Sequence, residues 1–192
     1  FSDRTTSVGV VSDSNFIREM SANGGEKFLN HIRTFKDLKD RFSEEKLIFE
    51  PKEIQGYAKS AKQLFGDGYV LCGNATEFLD PIFSSGVTLA TGSGLMAAKL
   101  THKHLQGEKV DWLNEYENIL RKGIDVFRSF VLSWYNGDMQ TIFFAKEINP
   151  DIKRQICSIL AGYVWDENNP FVKKHKTILK TLAQVVRINE PV

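Results

Sequence analysis

Gly68-Tyr69-Val70-Leu71-Cys72-Gly73-Asn74-Ala75-Thr76-Glu77-Phe78-Leu79-Asp80-Pro81-Ile82-Phe83-Ser84-Ser85-Gly86-Val87 is the stretch on which the reading of this chain turns. An apolar run ends at a Gly-Asn-Ala corner. A short connection leads to a rigid Asp-Pro step, then to two hydroxyl residues and a glycine. Beyond Val87 the pattern turns helical, with small residues at Ala90, Gly92, Gly94, Ala97 and Ala98. A strand feeding a loop that opens a helix presents backbone N–H groups to a bound anion or polarised ring. Two glycines in one helical turn each cost about 1 kcal/mol relative to alanine, so something is expected to pack close to that backbone.

The order and spacing of Gly73-Asn74-Ala75, Asp80-Pro81 and Ser84-Ser85-Gly86-Val87 resemble the second flavin-contacting motif of FAD-dependent oxidoreductases. The likeness is to the flavin-dependent halogenase, aromatic hydroxylase and geranylgeranyl reductase superfamily, whose pattern runs Gly-Asp-Ala, Asp-Pro, Ser-Ser-Gly. The resemblance covers about residues 5–105 and implies FAD as cofactor of the intact protein. It implies that Gly73, Asn74, Asp80, Pro81, Ser85, Gly86 and Val87 contact the cofactor. The helix from Val87 would aim its positive end at the N1–C2=O edge of the isoalloxazine. In halogenases of this kind, amides matching Ser85 and Gly86 also lie beside the halide. Asn74 departs from the family's aspartate: a neutral amide still accepts a hydrogen bond and can also donate, but more weakly than a carboxylate. The plain alternatives are that Asn74 caps a turn and that Ser84 or Ser85 caps an ordinary helix.

Phe83 stands where tryptophan-type halogenases of the resembling family carry a glutamate, and a phenyl ring cannot accept a proton. A tryptophan halogenase is therefore disfavoured, and no residue here reads as general acid or base. The resemblance implies flavin reduction by an external flavin reductase or electron donor, oxygen activation, and attack on a small-molecule substrate. A geranylgeranyl-reductase-like flavoprotein and a non-catalytic helical module with a degenerate motif, the latter supported by Asn74, are the alternative readings. No Gly-x-Gly-x-x-Gly follows a strand, so the ADP-binding half is missing. The chain opens Phe1-Ser2-Asp3-Arg4 without Met and reads as a fragment of a longer polypeptide, inactive alone.

The resulting expectation is an α+β chain, a fragment of an FAD/NAD(P)-binding α/β fold with a few strands before a mostly helical C-terminal portion. Residues 1–106 would carry the flavin-ring motif and 107–192 a helical region, with the join near Gly107. Strands are expected over 5–12, where β-branched residues cluster, over 54–65 and, buried, over 69–73. Asn23-Gly24-Gly25 is a breaker, and helical spacing of Phe28, Leu29, Ile32, Phe35, Leu38 and Phe42 predicts a helix over about 26–42. A stripe through Trp112, Leu113, Tyr116, Ile119, Leu120, Ile124, Phe127, Val131 and Trp134 predicts a long helix over 111–135, broken by Asn136-Gly137-Asp138. That stripe reads chiefly as core, and its aromatic members, continuing to Phe143 and Phe144, secondarily as the wall of a substrate cavity. Asn149-Pro150-Asp151 opens a helix ending near Gly162, and Asn169-Pro170 opens a last one through about Val186.

The 192 residues carry 25 Lys and Arg against 24 Asp and Glu, so no broad field favours nucleic acid or an anionic membrane. No apolar run nears the roughly 20 residues that span a bilayer. Cys72 is expected to be a buried thiol, and with Cys157 fits a reducing, cytoplasmic compartment. His31 and His175 are expected to face solvent, and His102 and His104, two apart on a helix, make no metal pair.

Overall fold

A computed structural model describes residues 1–21 and 24–189, which divide into two compact units, 1–57 and 58–192. Asn23 of the expected breaker lies outside the described residues.

In the first unit, α1 (Ser14–Ser21), α2 (Gly24–Arg33) and α3 (Lys36–Lys39) follow an irregular start. The strand expected over 5–12 does not form, because β-branched residues favour a strand only where a partner supplies a ladder. The start is instead tied locally, Asp3 accepting from the backbone and hydroxyl of Thr5. The helix expected over 26–42 stops at Arg33, with Phe35 extended before α3. Arg33 supplies the reason: its guanidinium donates to the carbonyls of Phe42 and Glu45, folding the following loop back onto α2. His31 is half-buried, not fully solvent-facing; its ring meets Phe16 and Phe35 edge-on at 5.2 and 5.4 Å.

The second unit is mostly helical, with two small antiparallel ladders. Strand β1 (Lys59–Ser60) pairs with β4 (Glu77–Phe78), and β2 (Phe65–Gly66) with β3 (Tyr69–Val70) across Asp67-Gly68. The strand expected over 54–65 is thus broken into Lys59–Ser60 and the first residue of Phe65–Gly66, on different ladders. The one expected over 69–73 is two residues long and half exposed at Tyr69. It ends early because Gly73, at φ +58°, turns the chain into a 3₁₀ turn, Gly73–Ala75. That turn also places Cys72 outside: the thiol is exposed, as is that of Cys157.

Helix α4 (Ser85–Leu105) ends before Gly107, at φ +83°. A π-turn, Leu113–Glu117, leads into α5 (Asn118–Tyr135), and Gly137, at φ +87°, separates that from α6 (Asp138–Phe143). Asn149 caps α7 (Pro150–Leu160) by accepting from the N–H groups of Asp151 and Ile152. Tyr116, Leu120, Ile124, Phe127 and Phe130 form the centre of the core with Leu64, Leu89, Met139 and Ile159. The stripe is therefore core, although Leu113 and Ile119 at its edge remain exposed. The close approach expected at the α4 glycines is Trp165, whose ring lies 3.1 Å from where a Cβ on Gly92 would sit.

The last helix is two, α8 (Pro170–Lys173) and α9 (Ile178–Asn189). The intervening turn carries His175 inward, where its Nδ1 lies 2.6 Å from the Ser129 hydroxyl on α5. Burial, then the neighbouring Lys176, holds the His175 pKa below its ordinary value, with Asp125 opposing. The folded state therefore favours neutral imidazole. Its contribution to stability is complete above the ordinary value of 6.5 and is lost as pH falls from there through the lowered value. His175→Gln should flatten the fall in unfolding temperature between about pH 8 and pH 5; an unchanged pH profile would remove His175 from the account.

Candidate flavin-contacting corner

The site is built from two segments that α4 brings together. In the first, Leu71 donates its N–H to Leu64 across the hairpin, and its carbonyl accepts the hydroxyl of Tyr116. Cys72 is extended, and Gly73 then takes the left-handed conformation that glycine adopts without a Cβ penalty. The Gly73 N–H donates to Ser93 Oγ on α4 at 2.8 Å, while its carbonyl accepts from the backbone and hydroxyl of Thr76. A Cβ on Gly73 would lie 3.3 Å from that of Ala90, so the corner is pressed against the helix.

In the second segment Asp80 is extended, as the residue before a proline tends to be. Its Oδ1 accepts from Ile82 N–H at 2.8 Å, capping the 3₁₀ turn Pro81–Phe83, with Pro81 at the position where no donor is needed. Its Oδ2 accepts the hydroxyl of Tyr135 at 2.8 Å. Ser84 follows at φ +51°, an uncommon left-handed non-glycine residue, and α4 begins at Ser85. The Ser84 hydroxyl makes no cap bond to the helix, against the plain reading of an N-capped start. The first-turn amides and the positive end of this 21-residue helix thereby receive no side-chain acceptor from the cap residue.

The segments meet where Asn74 faces Gly86: the Asn74 Oδ1 is 4.0 Å from the position a Cβ on Gly86 would take. Asn74 and Gly86 thus meet at the start of α4, with Gly73 packed further along it against Ala90 and Ser93, Ser85 buried and Val87 outward at 74% exposure. Asp80 and Pro81 shape the approach to that end. These are the features an isoalloxazine edge needs: glycines that permit close approach, an amide side chain, and helix-end N–H groups. The residues present fit a flavin on that ground.

Phe83 is half-buried against the core and meets Trp134 edge-on at 5.7 Å. Trp134 in turn meets Phe143 and Phe144, which are 60% and 72% exposed. The aromatic series therefore runs from the core out to the surface beside the Asp80–Phe83 turn. Ser93 escaped the sequence reading, and Tyr116 and Tyr135, which belong to the aromatic stripe, support the corner by hydrogen bonds that the reading of the stripe as core or cavity wall does not include. Ser93 carries a readable signal, since Ser85, Leu89 and Ser93 recur every four residues along the buried face of α4. Burial, with Cys72 adding to it and Ser93 opposing, pushes the Tyr116 phenol up to about 12, so it is a neutral donor at working pH.

Among the described residues no group of three or more His, Cys, Asp or Glu could hold a metal ion, and no helix is long and apolar enough to cross a membrane. His102 and His104 lie exposed on α4.

A family model for tryptophan halogenases matches residues 3–178. A 1H-pyrrole-2-carbonyl-[peptidyl-carrier protein] chlorinase of Pseudomonas fluorescens is 28% identical over 162 residues, 83% of this chain and 36% of that protein. A tryptophan 2-halogenase of Chondromyces crocatus is 32% identical over 113 residues, 55% of this chain and 21% of that protein. A crystal structure of a flavoprotein/dehydrogenase from Cytophaga hutchinsonii superposes with a TM-score of 0.86 at 51% identity, over 92% of this chain and 44% of that one. The chain spans about a third of the length of the chlorinase and less than half of the flavoprotein. With most of its length under one family model and a flavoprotein as structural neighbour, the chain belongs to the tryptophan halogenase family, which implies FAD as the cofactor of the intact protein.

Proposed function

We propose that this chain is the C-terminal portion of a halogenase-like FAD-dependent oxidoreductase acting on an aromatic or other apolar small molecule. The observation that carries the reading is the juxtaposition of Asn74 with Gly86 at the uncapped start of α4. FAD, when bound, supplies the redox and oxygen chemistry, reduced by an external flavin reductase or electron donor. The protein's share is orientation and electrostatics. Gly73 and Asn74 would hold one side of the flavin, the Asn74 amide being able both to accept from and to donate to its polar groups. The amides of Ser85, Gly86 and Val87, at the positive end of α4, would stabilise negative charge on the bound cofactor. Asp80 and Pro81 hold that end in place.

Phe83 supports a substrate that needs no carboxylate at this position. Its ring is packed on Trp134, and the exposed faces of Phe143 and Phe144 continue the apolar surface beside it. An aromatic or aliphatic substrate matches such a wall. The likeness to a carrier-bound pyrrole chlorinase agrees with that class, and the likeness to a tryptophan 2-halogenase makes indole the substrate to compare against.

Titration with FAD tests the reading. A polypeptide extended to the length of its relatives should bind FAD stoichiometrically, whereas residues 1–192 alone should purify colourless, because half the site is elsewhere. An extended protein that takes up no flavin would end the oxidoreductase assignment; a yellow, stoichiometrically loaded preparation of residues 1–192 would overturn the half-site account.

A further inference from the structure

From the hydrogen bonds that converge on the corner, we infer that Tyr116 and Tyr135 are positioning residues which hold its two halves in register for the flavin. This inference rests on the flavin reading above. The two phenols sit at opposite ends of one rigid element, the π-turn and α5, and each donates to a different half. Tyr116 reaches the carbonyl of Leu71, two residues before Gly73. Tyr135 reaches Oδ2 of Asp80, the residue whose other oxygen caps the turn before Ser84. The spacing between Asn74 and Gly86 is therefore fixed from behind by a helix that takes no part in the corner itself.

The π-turn explains why Tyr116 can do this. A π-turn admits one extra residue into a helical turn and is often found beside functional sites. Its last two residues both point back to the loop segments. Tyr116 is fully buried and donates to Leu71, while Glu117 accepts from the N–H of Leu64 at 3.1 Å. Glu117 is paired with Arg121, which donates onward to the carbonyls of Ala61 and Lys62. One turn of helix thus ties residues 61–64 and Leu71, the two arms that carry the hairpin into the corner. Ser93 completes the fastening from α4 by accepting from Gly73.

Tyr135 acts on the other half through a charged partner. A phenol donating to a carboxylate makes a charge-assisted bond, stronger and more directional than a neutral one. It holds the Asp80 carboxylate in the rotamer that caps Ile82. That cap sets the 3₁₀ turn, and the turn sets the left-handed Ser84 from which α4 starts. Tyr135 is half exposed, so its hydroxyl contributes little to global stability; its effect falls on where the first amides of α4 point. Neither tyrosine touches the reacting atoms.

The test is Tyr135→Phe and Tyr116→Phe in the extended, FAD-loaded protein. The readouts are the FAD dissociation constant by fluorescence quenching, the visible circular dichroism of bound flavin, and the unfolding temperature of the flavin-free form. Tyr135→Phe should weaken FAD about tenfold and alter the flavin dichroism while leaving the unfolding temperature of the flavin-free form within experimental error. Tyr116→Phe should weaken FAD at least as much, with some loss of stability because a partly buried carbonyl loses its donor. Their effects should multiply, since each acts on a separate half. Wild-type FAD affinity and dichroism in Tyr135→Phe would overturn the inference, as would loss of affinity confined to temperatures at which the variants unfold. If the wild type itself binds no FAD, the flavin reading fails first and the positioning role falls with it; if the wild type binds and the variants match it, only the positioning role fails.

Discussion

Gly73→Val should reduce FAD affinity of the extended protein by more than about 100-fold, equivalent to roughly 3 kcal/mol. Two costs combine. A β-branched residue at φ +58° is strained, and such residues cost on the order of 1–3 kcal/mol when held there. The added Cβ would also start 3.3 Å from Ala90, with two γ-methyls still to place. The chain can relieve both only by lifting Gly73 off α4. That breaks its bond to Ser93 and carries Asn74 away from Gly86, so the strain is discharged into the binding geometry. Gly107→Val supplies the control. It has the same conformational problem at φ +83°, but nothing within 4 Å, and it lies at the far end of α4. That variant should lose stability and keep its flavin. Equal FAD affinity in Gly73→Val and wild type, by fluorescence titration, would remove Gly73 from the site.

Gly123→Val should lower the unfolding temperature of the helical unit by about 6–12 °C, the effect of roughly 3 kcal/mol in a chain of this size. Gly123 is buried in the middle of α5, where glycine is ordinarily a liability. Its use is spatial: a Cβ there would sit 2.5–2.7 Å from three atoms of the Trp165 indole. The indole also abuts Gly92 on α4 and donates from Nε1 to the Ile119 carbonyl at 2.8 Å. Forcing it out costs about 1–3 kcal/mol of overpacking plus about 1 kcal/mol for the hydrogen bond. For Gly123→Ala the helix regains about 1 kcal/mol of propensity, so the smaller variant should lose only about 1–2 kcal/mol. A midpoint for Gly123→Val within about 2 °C of wild type would show that Trp165 has room the packing denies it.

What was legible in the sequence followed the range of the interactions. Asn149-Pro150-Asp151 reads as a helix start because the cap bonds its own next two residues. Gly73, Gly107, Gly137 and Gly162 mark corners because left-handed backbone is a local demand. The α5 core stripe and the Ser-Ser-Gly helix start were likewise readable from spacing. The strands were not. Residues 5–12 have β-branched composition but no ladder, and 54–65 contributes Lys59–Ser60 to one partner and Phe65 to another. A strand needs its neighbour, whose place in the chain no local pattern records. Cys72 looked buried because it ends an apolar run, yet Gly73 turns immediately after it and leaves the thiol outside. The supports of the site were hidden for the same reason: Tyr116 and Tyr135 bond partners 45 and 55 residues away.

The widened turn at Leu113–Glu117 also absorbs a residue. Its i→i+5 closure lets five residues turn the chain about as far as four would in an ordinary helix. Removing one would let the turn relax to an ordinary helix and leave α5 nearly in phase, with Trp134 still on Phe83, Tyr135 still near Asp80 and the stripe from Leu120 to Phe130 still in the core. The deletion would be felt on the spot, where Tyr116 meets Leu71 and Glu117 meets Leu64, so the surplus residue serves the hairpin and not the helix that follows it.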